Sequence, residues 1–321
     1  MRGPYFEELS VGQVFDSAPD VTLTDGLAAS HQSIVGCRLR LPLSTPLARR
    51  VTGRGPLADP ALVWNVAIGQ STLVTQHVRA NLFYRGLQLL RLPGLGDTLH
   101  TTTTVQELRQ NALRPGRPAT GLAVLHMVTV DQDGAKVLDF HRCAMIPLLD
   151  AELDTGHHAA LTLGSADLPE DGLLSAVEDW RVDGPPSPLP EPGQRWTVGG
   201  SDVVSAAPEL ARLTLNIATV HHDAVAAGGQ RLVYGGHTIA LALTQAARAL
   251  PDLLTVLGWH SCDHLAPVHE GDLLTSTLEL ERVSVRPAGG RVAHLRSQVT
   301  ASASDTDPVP VLDWRFAALL P

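Results

Sequence analysis

The chain has 321 residues, of which 44% are apolar and 18% charged, with a formal net charge of −9. Such a length predicts two cores of roughly 150 residues each, and the apolar share excludes a disordered chain. Lys136 is the sole lysine and no basic run occurs, which argues against a nucleic-acid partner; no window nears the roughly 18 uninterrupted apolar residues that would predict a membrane span.

In chain order, the opening "MRGPYFEELSVGQVF" lacks the apolar core of a signal peptide. Cys37, Cys143 and Cys262 are odd in number and far apart, the pattern of reduced thiols and a cytoplasmic location. A short strand and a helical or loop segment that includes "SHQSIVGCRLRL" (30–41) lead to Asp59-Pro60. That pair reads as an N-cap followed by proline in the first helical position. The segment 60–76, "PALVWNVAIGQSTLVTQ", is apolar on most sides, so it predicts a helix enveloped by its neighbours. Strands are predicted over 77–84, 97–109, 120–131 and 136–148, with "DQDG" (131–134) as a hairpin turn. A mixed segment, 151–183, reads as chain crossing the surface, and "GPPSPLPEPG" (184–193) as an extended linker. The same order then returns: an apolar helix over 237–250, strands over 254–263, 272–285, 291–303 and 310–320, and a turn at "RPAGG" (286–290).

The return is literal in places. "VLDFHRCAMIPL" (137–148) is echoed by "VLDWRFAALLP" (311–321), "GDTLHTTTTVQELR" (96–109) by "GDLLTSTLELERV" (271–283), and "VGQVF" by "PGQRW" (192–196), all in one order. This is the signature of a duplicated unit. A long antiparallel sheet rolled around a buried helix, made twice, is an α+β double hot dog. The expected division is an N-terminal hot dog over 1–150, a linker over 151–191 and a C-terminal hot dog over 192–321.

One stretch carries chemistry: "LTLNIATVHHDAVAAGG" (213–229), just before "GGHTIALALTQAARAL". His221 is the best general acid or base, because imidazole titrates near neutrality. Asn216 exchanges no proton, but its amide can hold a water. Asp223 either caps the next segment or orients His221, and His222 reads as structural. Gly235-Gly236 is either a tight turn or the place where the first free N–H groups of a helix meet a ligand. In "GWHSCDH" (258–264), His260, Cys262 and His264 alternate, but a zinc site needs a fourth ligand and other spacings, so no metal is expected.

"QRLVYGGHTIAL" (230–241), preceded by "NIATVHHD" (216–223), resembles the MaoC-like hydratase/dehydratase family, and most of all its two-hot-dog mesaconyl-CoA (2-methylfumaryl-CoA) hydratase branch. "RANLFYRG" (79–86), "GDTLHTTTTV" (96–105) and "VLDFHRCAMIP" (137–147) resemble the branch in the first half. The resemblance implies reversible addition of water across the Cα=Cβ bond of an enoyl-CoA thioester, with no cofactor beyond the CoA thioester itself. The family's loop pattern, Asp-x-x-x-x-His-x-Asp, falls on Asn216, His221 and Asp223, an amide replacing the first acid as in the branch. The roles that follow are His221 as acid/base, Asn216 orienting water, and Gly236 with the His237 N–H as oxyanion donor, supported by Gly235. His264 is expected to line the pocket, because the branch also has a histidine before "AP". The loop at 30–41 keeps His31 but lacks the pattern, so the first half is expected to shape the acyl pocket without doing chemistry.

CoA phosphates call for arginine, and Arg231 is nearest the motif, with Arg85 and Arg91 as further candidates. Hot dog proteins pair sheets edge to edge, which predicts a homodimer. The rival readings are a hot dog acyl-CoA thioesterase, which needs an acid on or beside a central helix where 60–76 and 237–250 have none, and a non-catalytic acyl-CoA-binding module.

Overall fold

A computed structural model describes residues 3–163, 167–182, 191–303 and 307–321. The helices are α1 (Asp25–Val35), α2 (Arg40–Leu43), α3 (Thr45–Thr52), α4 (Pro60–Gln70), α5 (Glu170–Leu174), α6 (Ala207–Leu213) and α7 (Gly235–Ala249). The strands are β1 (Val14–Phe15), β2 (Val21–Thr22), β3 (Ala80–Leu89), β4 (Thr98–Gln110), β5 (Thr120–Val130), β6 (Lys136–Pro147), β7 (Arg195–Thr197), β8 (Asp202–Val203), β9 (Thr255–His264), β10 (Leu273–Val285), β11 (Arg291–Ser302) and β12 (Val309–Leu320). All twelve belong to one antiparallel sheet of order β1-β4-β5-β6-β3-β9-β12-β11-β10-β7, with β2 beside β4 and β8 beside β10.

The repeat seen in the sequence is present in three dimensions. Each half gives four long strands around one apolar helix: β3–β6 with α4, β9–β12 with α7. Every residue of α4 is buried, as expected for a helix with no polar stripe. Equivalent glutamines tie the two helices to equivalent strands. Gln70 Nε2 donates to the Leu99 carbonyl at 2.9 Å, and Gln245 Nε2 to the Leu274 carbonyl at 2.8 Å. Leu99 and Leu274 occupy the same place in the "GDTLH" and "GDLLT" words.

The halves join through β3 and β9, which pair from Phe83↔Asp263 to Gln88↔Gly258. The edge-to-edge pairing from which a homodimer was expected is therefore made inside the chain. The outer edges close with strands of two or three residues, a form that discourages further strand addition. Trp64 of α4, Trp259 of β9 and Trp314 of β12 meet in one fully buried aromatic cluster, so the first helix also packs on strands of the second half. Residues 167–182 strap the sheet, burying Leu173, Val177 and Trp180, with the Leu168 N–H on His260 Nδ1 at 2.9 Å. The proline-rich linker lies outside the described residues over 184–190.

Candidate active site

The site is a cavity of about 350 Å³ where the two halves meet. The second half supplies Asn216, His221, Tyr234, Gly235 and His264 to its wall, and the first half supplies Thr75, Asn81, Tyr84 and Arg142. Among the described residues no Asp or Glu lies in that wall.

The loop before α7 is held against the first half by very close backbone packing. A Cβ on Gly69, near the end of α4, would sit 1.6 Å from the Thr214 carbonyl oxygen. Beyond that contact Leu215 has φ 59°, a left-handed conformation that a branched side chain adopts only when its surroundings impose it. Thr72 Oγ1 then accepts from the Ile217 N–H at 3.0 Å, and the Gln76 carbonyl from the Thr219 N–H at 2.9 Å. A segment of one half is thus pinned by the other at the point where Asn216 and His221 enter the cavity.

His221 is buried, and its Nδ1 lies 2.8 Å from the Leu232 carbonyl oxygen. A carbonyl only accepts, so Nδ1 carries the proton and Nε2 is left with its lone pair. Burial is the main reason its pKa falls to about 4, with His222 and Arg142 adding to the shift. The Asn216 Oδ1 accepts from the Ala218 N–H at 3.0 Å, so the Nδ2 donor and the second lone pair of Oδ1 are what this side chain can offer a ligand. Asp223 is exposed and caps the turn after it, accepting from the Val225 and Ala226 N–H groups at 2.8 and 3.2 Å. Between the two roles the sequence left open for it, capping is the one it performs; the orienting group for His221 is the Leu232 carbonyl. His222 Nε2 donates to the Asn216 carbonyl at 2.7 Å, a structural contact.

Gly235 and Gly236 are the first two residues of α7, and among the described residues neither N–H has a partner. They differ in position. Gly235 lines the cavity, and a Cβ on it would lie 2.7 Å from the His264 ring. Gly236 does not: a Cβ there would lie 2.2 Å from Asn65 Oδ1 and 2.5 Å from Tyr234 Cζ. The His237 N–H is taken by the Tyr234 carbonyl at 2.9 Å. Gly236 and the His237 N–H were the expected donors; the helix starts two residues before the predicted 237, and of these three residues Gly235 is the one that lines the cavity. The His237 ring is fully buried away from the cavity, with neither nitrogen partnered among the described residues, and burial and His31 lower its pKa to about 4. In α4 the corresponding helix start is closed: Pro60 has no N–H and Asp59 Oδ1 accepts from the Ala61 N–H at 2.9 Å.

His264 does line the cavity. Its Nε2 is sealed from solvent without a partner, and burial lowers the pKa to about 4. His31 is buried elsewhere, its Nε2 3.3 Å from Asn65 Nδ2 and its Nδ1 3.8 Å from Asp59 Oδ2. His260 faces His294, Nε2 to Nδ1 at 2.9 Å. No three of the described His, Cys, Asp and Glu side chains are grouped to hold a metal, and the three cysteines are buried and free.

The candidate phosphate ligands have carboxylate partners. Arg231 pairs with Glu270 at 3.0 Å, Arg85 with Asp263 at 2.7 Å, and Arg91 with Asp97 and Asp131. Arg142, which sequence reasoning passed over, is the opposite case. It is 4% exposed, bonds Thr75 Oγ1 at 2.6 Å and the Ser71 carbonyl at 3.2 Å, and has no carboxylate partner among the described residues. Asn81, on the same wall, has both polar side-chain atoms buried and unpartnered. The signal for Arg142 was parity: in a strand it shares a face with Phe140 and Ala144, both fully buried.

No protein-family profile matches the chain. The double hot dog protein RV0216 of Mycobacterium tuberculosis is 51% identical, covers 99% of this chain and 98% of its own, and superposes with a TM-score of 0.87. Two curated relatives are each 27% identical: a beta-methylmalyl-CoA dehydratase of Chloroflexus aurantiacus, covering 99% of this chain and 97% of its own length, and a mesaconyl-CoA hydratase of Cereibacter sphaeroides, covering 95% and 91%. The chain belongs to the MaoC-like double hot dog family. In this MaoC-like double hot dog protein the 216–223 loop places His221 and Asn216 on one cavity with Gly235. No helix among its described residues is long and apolar enough to cross a membrane.

Proposed function

We propose that the chain adds water reversibly across the Cα=Cβ bond of a 2-enoyl thioester of coenzyme A. The observation that carries this reading is the shared cavity of a neutral imidazole, His221, and an unpartnered helix-start N–H, Gly235. His221 Nε2 takes a proton from a water that the Asn216 amide orients, and the oxygen adds to Cβ. The electron pair moves through Cα to the thioester oxygen, where the Gly235 N–H and the positive end of the α7 dipole stabilise it. The imidazolium, a strong acid because burial disfavours its charge, returns the proton to Cα. Two relatives with dehydratase and hydratase names support this chemistry. Hot dog thioesterases usually set an Asp or Glu beside the central helix, and among the described residues the cavity wall has neither.

The finer reading is an acyl group that ends in a carboxylate. Arg142 is a buried cation on the cavity without an anion, an arrangement that costs several kcal/mol until a counter-charge arrives. A substrate carboxylate supplies that charge, and the Asn81 amide a further donor. The test is incubation with crotonyl-CoA and mesaconyl-CoA. Loss of the enoyl absorbance without thiol release is expected, with a decrease of about 10²–10⁴ in His221→Ala. Thiol release, or a folded His221→Ala within tenfold of the wild type, contradicts the reading.

A further inference from the structure

A second groove, of about 670 Å³, opens beside the acyl cavity and shares Arg79 and Leu82 with it. Among the described residues its wall carries four arginines, Arg79, Arg109, Arg114 and Arg117, and no acid. Among the described residues none of the four has a carboxylate partner, and the single side-chain bond formed by any of them is Arg79 Nη1 to the Ala226 carbonyl at 3.4 Å. In a chain of net charge −9 with 24 basic residues, four unpaired guanidinium groups around one groove amount to a field of opposite sign to the protein as a whole. The floor is different in kind: Leu82, Leu122 and Met145, with Leu122 and Met145 paired across β5 and β6. Arg114 and Arg117 sit on the exposed connection between β4 and β5, and Arg79 stands at the opening into the acyl cavity.

We propose that this groove binds the 3′-phosphorylated ADP end of coenzyme A. The arginines take the diphosphate and the 3′-phosphate, as planar guanidinium forks suit phosphate oxygens. The apolar floor takes the adenine face, and the pantetheine arm passes Arg79 to deliver the thioester to His221. The inference rests on the enoyl-CoA reading for the identity of the ligand. It moves the phosphate contacts from Arg231, Arg85 and Arg91, which are already neutralised, to the first half. That half then holds the handle of the substrate while the second half performs the reaction.

The experiment measures binding, which needs no turnover. Wild-type protein is titrated by calorimetry with CoA, 3′-dephospho-CoA and adenosine 3′,5′-bisphosphate, beside Arg114→Glu/Arg117→Glu and, as a remote charge control, Arg50→Glu on α3. The double variant is expected to bind CoA and the bisphosphate at least about tenfold more weakly, to lose the preference for CoA over its dephospho form, and to flatten the salt dependence. Arg50→Glu is expected to match the wild type. CoA affinity within twofold of wild type in the double variant, or an equal loss in Arg50→Glu, overturns the proposal. Because none of these readouts depends on water addition, a failed groove and a failed hydratase give different results.

Discussion

His221 donates from Nδ1 to the Leu232 carbonyl across 2.8 Å. That bond joins the loop after α6 to the segment that leads into α7, so one contact fixes both the tautomer of the ring and its direction. Leu232 N–H returns a bond to the Val220 carbonyl at 3.0 Å, making the link double.

If the ring is the base, activity toward crotonyl-CoA is flat through neutral pH and falls with acid along a limb near its pKa of about 4. Asn216→Asp brings a carboxylate into the same wall. Opposite charge favours the imidazolium, so the limb of kcat/KM moves upward, by on the order of one unit. A limb that stays in place in this variant identifies some other group as the one that titrates.

Gly69 and Gly26 give a pair of alanine substitutions with opposite signs. Gly69→Ala drives a methyl into the Thr214 carbonyl, 1.6 Å away, and the backbone must move. A loss of about 3 kcal/mol is expected, with a reduced kcat because Asn216 and His221 follow that loop. Gly26→Ala in α1 meets nothing nearer than Thr24 Oγ1 at 3.9 Å, and helix propensity predicts a gain of up to about 1 kcal/mol. Urea unfolding distinguishes them; two results of the same sign would contradict the packing described.

Arg142→Met keeps much of the volume and removes the charge. The KM for mesaconyl-CoA is expected to rise about tenfold or more, the loss of one charge-assisted contact, while the KM for crotonyl-CoA, which has no carboxylate, changes little. An equal change for both substrates would reduce Arg142 to a packing residue.

Four histidines whose pKa values burial lowers predict acid sensitivity of the fold. Burial lowers the pKa values of His221, His237 and His264 to about 4 and lowers that of His31. Above the unfolded value of about 6.5 all are neutral in both states. Between there and each group's lowered folded value the unfolded chain takes up protons that the folded chain refuses, so stability falls as pH falls, by up to about 1.4 kcal/mol per pH unit for each group. Urea midpoints at pH 7, 5.5 and 4.5 measure the slope. His237→Leu, which removes a buried ring with no partner, is expected to flatten it.

The duplication, the enveloped helices and seven of the eight long strands were legible because apolar alternation and turn chemistry are local. The strand predicted at 77–84 runs instead over Ala80–Leu89. Residues 75–78 form a turn, with the Val78 N–H on the Thr75 carbonyl at 3.0 Å, and Gly86, at φ 62°, breaks the register between Arg85 and Gln88. A bulge of this kind erases the period of two on which strand reading depends. The loop was legible as a motif, but not which glycine faces the ligand, since Gly235 and Gly236 differ only in what packs over them. Arg142, Asn81 and the arginine groove were not found because each draws its meaning from a partner or neighbour distant in the chain, or from the lack of one.

The start of α4, sealed by Pro60 and Asp59, bears on stoichiometry. Two identical hot dogs would bring two equal reaction centres to every pair, and a saturating inhibitor would count two. Here one helix end is plugged and its twin is open, so titration with a tight-binding substrate analogue should reach its end point at one equivalent per polypeptide. A single covalent strand has made inequality between twins heritable.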